Sequence, residues 1–477
     1  MNYPLLSTNK FNLYIDMWFK SKLTIIILLI ISYIIVIPNL DRTSFWIDEM
    51  FSVYSVTSNS LNSMFNDYIL KDVHPPLYQI SLYYWSRFTG NSEYEIRVLS
   101  YIFILISFII SYYLLVKYFS RRVAIIFISL SLSTPAILYY AEEARAYALL
   151  YSLANILSIQ FLIFREKIKD DKNLPYTLIF TYSLFSILIC YTHFFGYILV
   201  FSISIYLIIY SYNLKRFKTT LQLFIVSALI GILAIIWLYV MIEYGNISNK
   251  LNGNFWIDND YIGVVYNFLG LLFGNIVSLL FGAILFLSII ISNISKREII
   301  AIFRNQIFLL LPISISIIVA VMISLKTPII TGRNLLIIIP LILLFMTFLF
   351  NTLYDRKKIV ISLYIISLLS STIYKNFTYI KEDWRGASLY IANNFNRECK
   401  VPTDFNRELM PILYSKFYLK DSVDYILGKA IIQEECDLIY FDGHISINRV
   451  KDILKRDNIV EGYEILDFNN VYIVVKR

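Results

Sequence analysis

Residues 41–53 read "DRTSFWIDEMFSV". Two adjacent carboxylates, Asp48 and Glu49, stand between Phe45, Trp46 and Ile47 on one side and Met50 and Phe51 on the other. A solvated loop has no need of such aromatic company. A membrane helix does not accept the acids unless they are paired or face a wet cavity. The stretch follows the apolar run "KLTIIILLIISYIIVIP" at 22–38 almost at once. That run carries no signal-peptide cleavage pattern and reads as a retained first span. The acids therefore sit just beyond the first crossing.

Apolar runs of spanning length recur to about residue 374. The chain is 58% hydrophobic and only 16% charged, which excludes an ordinary soluble enzyme. About eleven spans are expected, near 22–38, 96–116, 122–138, 146–164, 176–192, 195–212, 219–241, 264–291, 306–325, 334–350 and 358–374. Gly270 and Gly274 mark the long 264–291 run as part interfacial or re-entrant. With the N-terminus cytoplasmic, the inner loops receive nineteen Lys and Arg and the outer segments, to residue 374, eight. Every inner loop is basic, as the positive-inside rule requires. The net charge of +8 therefore reflects membrane topology and not nucleic-acid binding.

Residues 379–477 differ in kind. They read as a small α/β domain outside the membrane, after a transmembrane domain at 1–378. Helices are expected near 384–396, 405–417 and 446–456, and strands near 437–442 and 463–475. Cys399 and Cys436 both fall here, either as a disulfide or as two thiols.

The outer segments hold the unusual residues: "DVHPPLY" at 72–78, "SEYEIRVLS" at 92–100, "YYAEEARAY" at 139–147, "YTHFFGY" at 191–197, "GNFWIDNDY" at 253–261 and "TPIITGRNLL" at 327–336. Their gathering on one side points to one site at the outer boundary. Adjacent helical residues point roughly 100° apart, so Asp48 and Glu49 should do different jobs. The plainer alternative is an acidic pair favoured by a helix N-terminus. His74 precedes two prolines and is either structural or part of the site. Arg145 has no acid on its own helix face, and a guanidinium matches a phosphate bidentately. Tyr147 lies four residues after Glu143 and could share its face. His193 reads equally as a packed interfacial residue or a ligand. There is no HExxH and no Cys cluster. A divalent ion would need the fold to gather Asp48, Glu143 and His74 or His193.

In this order the segments resemble the GT-C membrane glycosyltransferases, in the branch containing protein O-mannosyltransferases and the lipid A aminoarabinose transferase. The matches are Trp46, Asp48 and Glu49 to "W-x-DE" and Pro75, Pro76, Leu77 and Tyr78 to "PPL-Y". Glu93, Arg97, Leu99 and Ser100 match "E…R-L-S", and Glu143, Arg145 and Tyr147 match "E-x-R-x-Y". Asp383, Trp384 and Arg385 match "DWR". The late "R-Y-L-L…P" keeps Arg333 and Pro340 but has Asn334 for the Tyr. The resemblance covers roughly residues 20–390.

It implies a polytopic all-α GT-C protein at the plasma membrane, with outer interfacial helices. The implied reaction moves a sugar from a polyprenyl phosphate to an outer-face hydroxyl, with inversion. Asp48 would be the general base and Glu49 would order its surroundings. Arg145 and Arg333 would meet the leaving phosphate, with His74 behind them. Glu143, Tyr147, Arg97 and Tyr78 complete the implied substrate contacts. Trp46, Tyr78 and Trp256 would stack on sugar or line the lipid path, although interfacial belts use the same residues. Two other readings compete: a lipid-linked oligosaccharide flippase, and an oligosaccharide polymerase or ligase. A transporter should show an internal repeat with polar residues at mid-membrane depth. The sequence shows no such repeat.

Overall fold

The structure is a computed structural model. It describes residues 8–477 apart from 58–59, 71, 73, 172, 245–259, 275–303, 305, 396–398, 404–416, 419–424, 428–429, 434–435 and 444. Trp256, Lys71, the later part of the 264–291 run and nearly all of the expected 405–417 helix lie outside the described residues.

In chain order the main helices are α1 (Thr8–Lys20), α2 (Leu23–Val36), α3 (Ile47–Thr57), α4 (Leu77–Thr89), α5 (Glu93–Tyr118), α6 (Arg121–Leu132) and α7 (Pro135–Ala141). They continue as α8 (Tyr147–Lys169), α9 (Tyr176–Cys190), α10 (Phe194–Asn213), α11 (Phe217–Tyr244), α12 (Tyr261–Phe273), α13 (Leu310–Ser324) and α14 (Ile339–Thr378). The last two are α15 (Trp384–Asn394) and α16 (Ile447–Arg456). The strands are β1 (Val401–Thr403), β2 (Tyr425–Leu427), β3 (Leu438–Gly443), β4 (Tyr463–Asp467) and β5 (Val471–Lys476). The chain divides into two compact units. The first holds 1–37, 65–81 and 98–377; the second holds 38–64, 82–97 and 378–477.

The first unit is helical. Among the described residues, six helical runs are long and apolar enough to cross a membrane, or eight if each of two bent pairs counts as one span. This is a multi-pass membrane protein. The expected spans at 22–38, 122–138 and 176–192 fall on shorter or bent helices. Residues 334–350 and 358–374 lie on two helical segments of α14 and the turn before it, which meet at a kink where Lys357 leaves helical dihedrals. The α6–α7 pair bends by 67° where Thr134 leads into Pro135, because a proline suits a first helical position and no interior one.

The α8 helix is the axis of this unit, its apolar window wholly buried, whereas most of α11 is open to surrounding lipid. Lipid tails give helices no hydrophobic reason to associate, so packing and polar contacts must hold them together. Asn155 Nδ2 of α8 donates to Ser107 Oγ at 2.7 Å and Ser111 Oγ at 2.9 Å on α5. Ser316 on α13 bonds Ser202 on α10 at 3.0 Å, and Tyr182 on α9 bonds Ser204 on α10 at 3.0 Å. Gly196 lets α10 pass close to α9. A Cβ there would lie 2.5 Å from the Ile189 carbonyl oxygen.

The second unit combines α3, the end of α4, the first turn of α5 and the C-terminal region. Its sheet has the antiparallel order β3-β5-β4, and β1 pairs with β2 in parallel. α16 lays Val450, Ile453 and Leu454 on Ile439, Tyr472 and Val474 of the sheet. Cys399 and Cys436 form a disulfide.

Candidate active site

The acidic pair opens α3, in the second unit. Glu49 sits three residues after Trp46 and reaches back to accept its backbone N–H at 3.3 Å. This is half of a capping box, and the helix N-terminus favours a carboxylate there. The same carboxylate is fully buried. Arg97 compensates it with two parallel bonds, Nε to Oε1 at 2.8 Å and Nη2 to Oε2 at 2.7 Å. The other N–H groups of Arg97 reach the carbonyls of Leu40 at 2.8 Å, Thr43 at 2.8 Å and Ser44 at 3.0 Å. All five guanidinium donors are thus used. Phe45 lies under the guanidinium at 4.9 Å, and Lys381 Nζ stands 3.4 Å from Glu49 Oε2. Asp48, one residue earlier, is only partly buried.

The "DWR" residues belong to the same assembly. Asp383 caps α15 by accepting the Gly386 N–H at 2.8 Å. Trp384 is fully buried, with its backbone N–H on Ser44 Oγ at 3.0 Å and its ring edge-on to Phe441. Ser44 Oγ donates in turn to the Glu382 carbonyl at 2.6 Å. Arg385 pairs with Glu93 at 3.3 Å, and Tyr418 donates to Glu93 at 2.8 Å. Burial and the Glu93 charge raise the Tyr418 hydroxyl well above its ordinary pKa, so it stays protonated and donates.

The first unit gathers a second group. Pro75 and Pro76 end the "DVHPP" turn, and the Leu77 N–H donates to the Tyr191 carbonyl at 2.9 Å. His74 Nδ1 lies 3.2 Å from Asp72 Oδ1, and the His74 and His193 rings are 5.3 Å apart. His193 packs against Tyr147 at 5.9 Å, and the Arg333 guanidinium lies 5.6 Å from the Tyr147 ring centre. Tyr78 is buried and shares a 3.3 Å bond with Ser100, whose hydroxyl also donates to the Glu143 carbonyl. Glu143 is fully buried and Arg145 nearly so. The group joins two arginines and two histidines to two carboxylates, Asp72 and Glu143; its guanidinium groups are the ones suited to an anion. Among the described residues, no three His, Cys, Asp or Glu are grouped to hold a metal.

His193 N-caps α10 by accepting the Phe195 N–H on Nδ1 at 3.2 Å. Burial holds its imidazole well below the ordinary 6.5, and the charges of His74, Arg333 and Arg145 act in the same direction. The native protein therefore keeps it neutral while the unfolded chain protonates it. Native stability should fall as pH drops below about 6.5, by up to about 1.4 kcal/mol per pH unit. Melting temperatures from pH 8 to pH 5 should show this slope in the native protein and a shallower one in His193→Gln. Equal slopes would remove the assignment.

The expected site residues thus fall into two groups. Asp48, Glu49 and Arg97 share the second unit. Arg145, Tyr147, His74, His193, Arg333, Glu143 and Tyr78 share the first. Arg97, expected among the substrate contacts, is fully buried and committed to Glu49 and the 40–44 backbone. Lys381 and Tyr418 complete the acidic group without a local sequence signal, whereas Glu93 falls in the "E…R-L-S" match and Asp383, Trp384 and Arg385 in "DWR".

The chain has the GT-C fold, as its likeness to solved structures shows. Among solved structures it is similar to ArnT from Cupriavidus metallidurans bound to undecaprenyl phosphate, with a TM-score of 0.55 and 10% identity over 95% of this chain and 98% of that one. The apo form of ArnT gives a TM-score of 0.57, again at 10% identity, over 94% and 97%. The archaeal oligosaccharyltransferase AglB from Archaeoglobus fulgidus, in complex with an inhibitory peptide and a dolichol-phosphate, gives 0.46 at 10% identity over 89% and 65%. No protein-family model and no curated protein sequence matches the chain.

Proposed function

We propose that the protein is a membrane glycosyltransferase that moves a sugar from a polyprenyl-phosphate donor to a hydroxyl on an outer-face acceptor. The acceptor is a protein, a glycolipid or an envelope glycan. One observation carries the reading: on a GT-C fold, the acidic pair is split into a buried, clamped Glu49 and a partly exposed Asp48. Asp48 is assigned as the general base. The acceptor oxygen attacks the anomeric carbon while its proton passes to the Asp48 carboxylate. The bond from that carbon to the phosphate oxygen breaks, and its electron pair leaves with the phosphate. A single displacement of this kind inverts the anomeric centre.

Arg145 and Arg333 are assigned to the phosphate, where negative charge develops. His74, Tyr147, Glu143 and Tyr78 shape their surroundings. Arg97 and Glu49 act by positioning the start of α3. The N-terminus is assigned to the cytoplasm, and residues 379–477 to the outside. The Cys399–Cys436 disulfide supports an oxidising compartment for that region.

Mass spectrometry of envelope glycans and glycoproteins, with and without the gene, tests the reading. One glycan or glycoprotein should lose a single sugar in the deletion strain. Arg145→Ala should leave most of that product missing and raise the apparent donor KM in membranes. An unchanged glycan profile in the deletion strain would overturn the assignment.

A further inference from the structure

The first unit contains a cavity of about 400 Å³, lined by none of the candidate site residues. Its walls include Ile15, Trp18 and Phe19 of α1, Leu28 of α2, Leu132 of α6 and Ile365 of α14. Only three serines, Ser129, Ser133 and Ser362, interrupt the apolar lining. Its volume is that of a small-ligand pocket. α1 meets α2 at 86°. If α2 crosses the bilayer, α1 lies along the interface, with Tyr14 and Met17 open to lipid.

The end of α1 is basic. Lys20 and Lys22 are exposed. Arg121 Nη1 donates to the Lys20 carbonyl at 2.9 Å, which places the guanidinium at the α1 terminus. Its Nε is buried without a protein acceptor. The nearby carboxylates are already engaged: Asp16 by Lys358 at 2.7 Å and Tyr354 at 3.0 Å, and Asp355 by Arg122 at 3.4 Å. Among the described residues, no carboxylate lies within ion-pair distance of Lys20, Lys22 or Arg121. The apolar lining of the slot thus extends to Phe19, next to Lys20, whose carbonyl holds Arg121; Asp16, the acid that acts on Lys20, is committed to Lys358 and Tyr354.

We propose that this cavity holds one acyl chain of an anionic phospholipid, whose phosphate is bound by Arg121 and Lys20. The charge decides the occupant. A zwitterionic lipid would fill the slot equally well but gain little from the basic end. Basic side chains near an anionic membrane surface each strengthen binding measurably. The loop-charge orientation puts the site in the cytoplasmic leaflet, away from the chemistry assigned to Asp48. The proposal does not depend on that assignment.

Native mass spectrometry of the purified full-length protein, titrated with phosphatidylglycerol and with phosphatidylcholine of the same chains, tests it. The native protein should retain phosphatidylglycerol on the order of tenfold more tightly. Arg121→Gln with Lys20→Gln should remove most of that preference. Lys20→Gln alone, at an exposed position, should remove part of it and serves if the double variant is unstable. Ile31 of α2 also lines the slot, so Ile31→Phe, which fills it, should weaken both lipids together. Equal retention of the two lipids by the native protein would overturn the proposal. So would a preference untouched by Lys20→Gln and the double variant, or displacement of the phospholipid by polyprenyl phosphate.

Discussion

Asp48→Asn is expected to lower sugar transfer by roughly 10²- to 10⁴-fold, the range supplied by a positioned general base. Asn keeps the size and shape of the side chain but is neutral, offers a donor in place of one acceptor oxygen, and cannot take a proton. Asp48 is partly exposed at the start of α3, so the variant should fold, insert and melt like the native protein. Glu49→Gln is the informative companion. It should lose activity together with stability, because the neutral amide leaves Arg97 and Lys381 without their buried counter-charge. Near-native turnover in a well-folded Asp48→Asn protein would exclude it as the base. Equal melting temperatures for Asp48→Asn and Glu49→Gln would exclude the division of labour between the two acids.

Replacing Arg97 should have the largest effect on the fold. Removing one partner of a buried ion pair typically costs about 3–5 kcal/mol. Arg97→Met would also strand the carbonyls of Leu40, Thr43 and Ser44, which accept its remaining donors. Even Arg97→Lys should be poorly tolerated. An ammonium has three donors where the guanidinium uses five, and it cannot reproduce the two-bond contact with Glu49. The measurements are the melting temperature in detergent and the fraction of protein recovered folded from membranes. A Lys variant within a degree of the native protein would show that the five-fold engagement contributes little.

Much of the architecture was legible because the membrane imposes a coarse rule. A spanning helix must be apolar for about twenty residues. Runs such as 96–116 and 219–241 announce themselves in that way, as do the basic loops that follow or precede them. The division at 350–358 was legible for the same reason. Arg356, Lys357 and Lys358 interrupt the apolar pattern there, and two helices meet at a kink where Lys357 leaves helical dihedrals.

The candidate site was legible in its residue types and obscure in its pairing. Glu93 lies four residues before Arg97, the spacing at which a helical ion pair forms. The structure gives Arg97 to Glu49 and sends Glu93 to Arg385 and Tyr418. Local spacing names a neighbour, but burial selects the partner that satisfies the most donors at once. Trp384 and Ser44 meet across most of the chain, and no periodicity connects them.

The grip of Arg97 also bears on the order of events during synthesis. Leu40, Thr43, Ser44, Glu49 and Arg97 all belong to the first 97 residues of the chain, so these bonds need nothing made later. At ~5–20 residues per second, Lys381 and Trp384 leave the ribosome on the order of tens of seconds after Arg97. The segment bearing Asp48 can therefore be set in place while most of the helices are still unborn. The C-terminal region then arrives at a surface already formed.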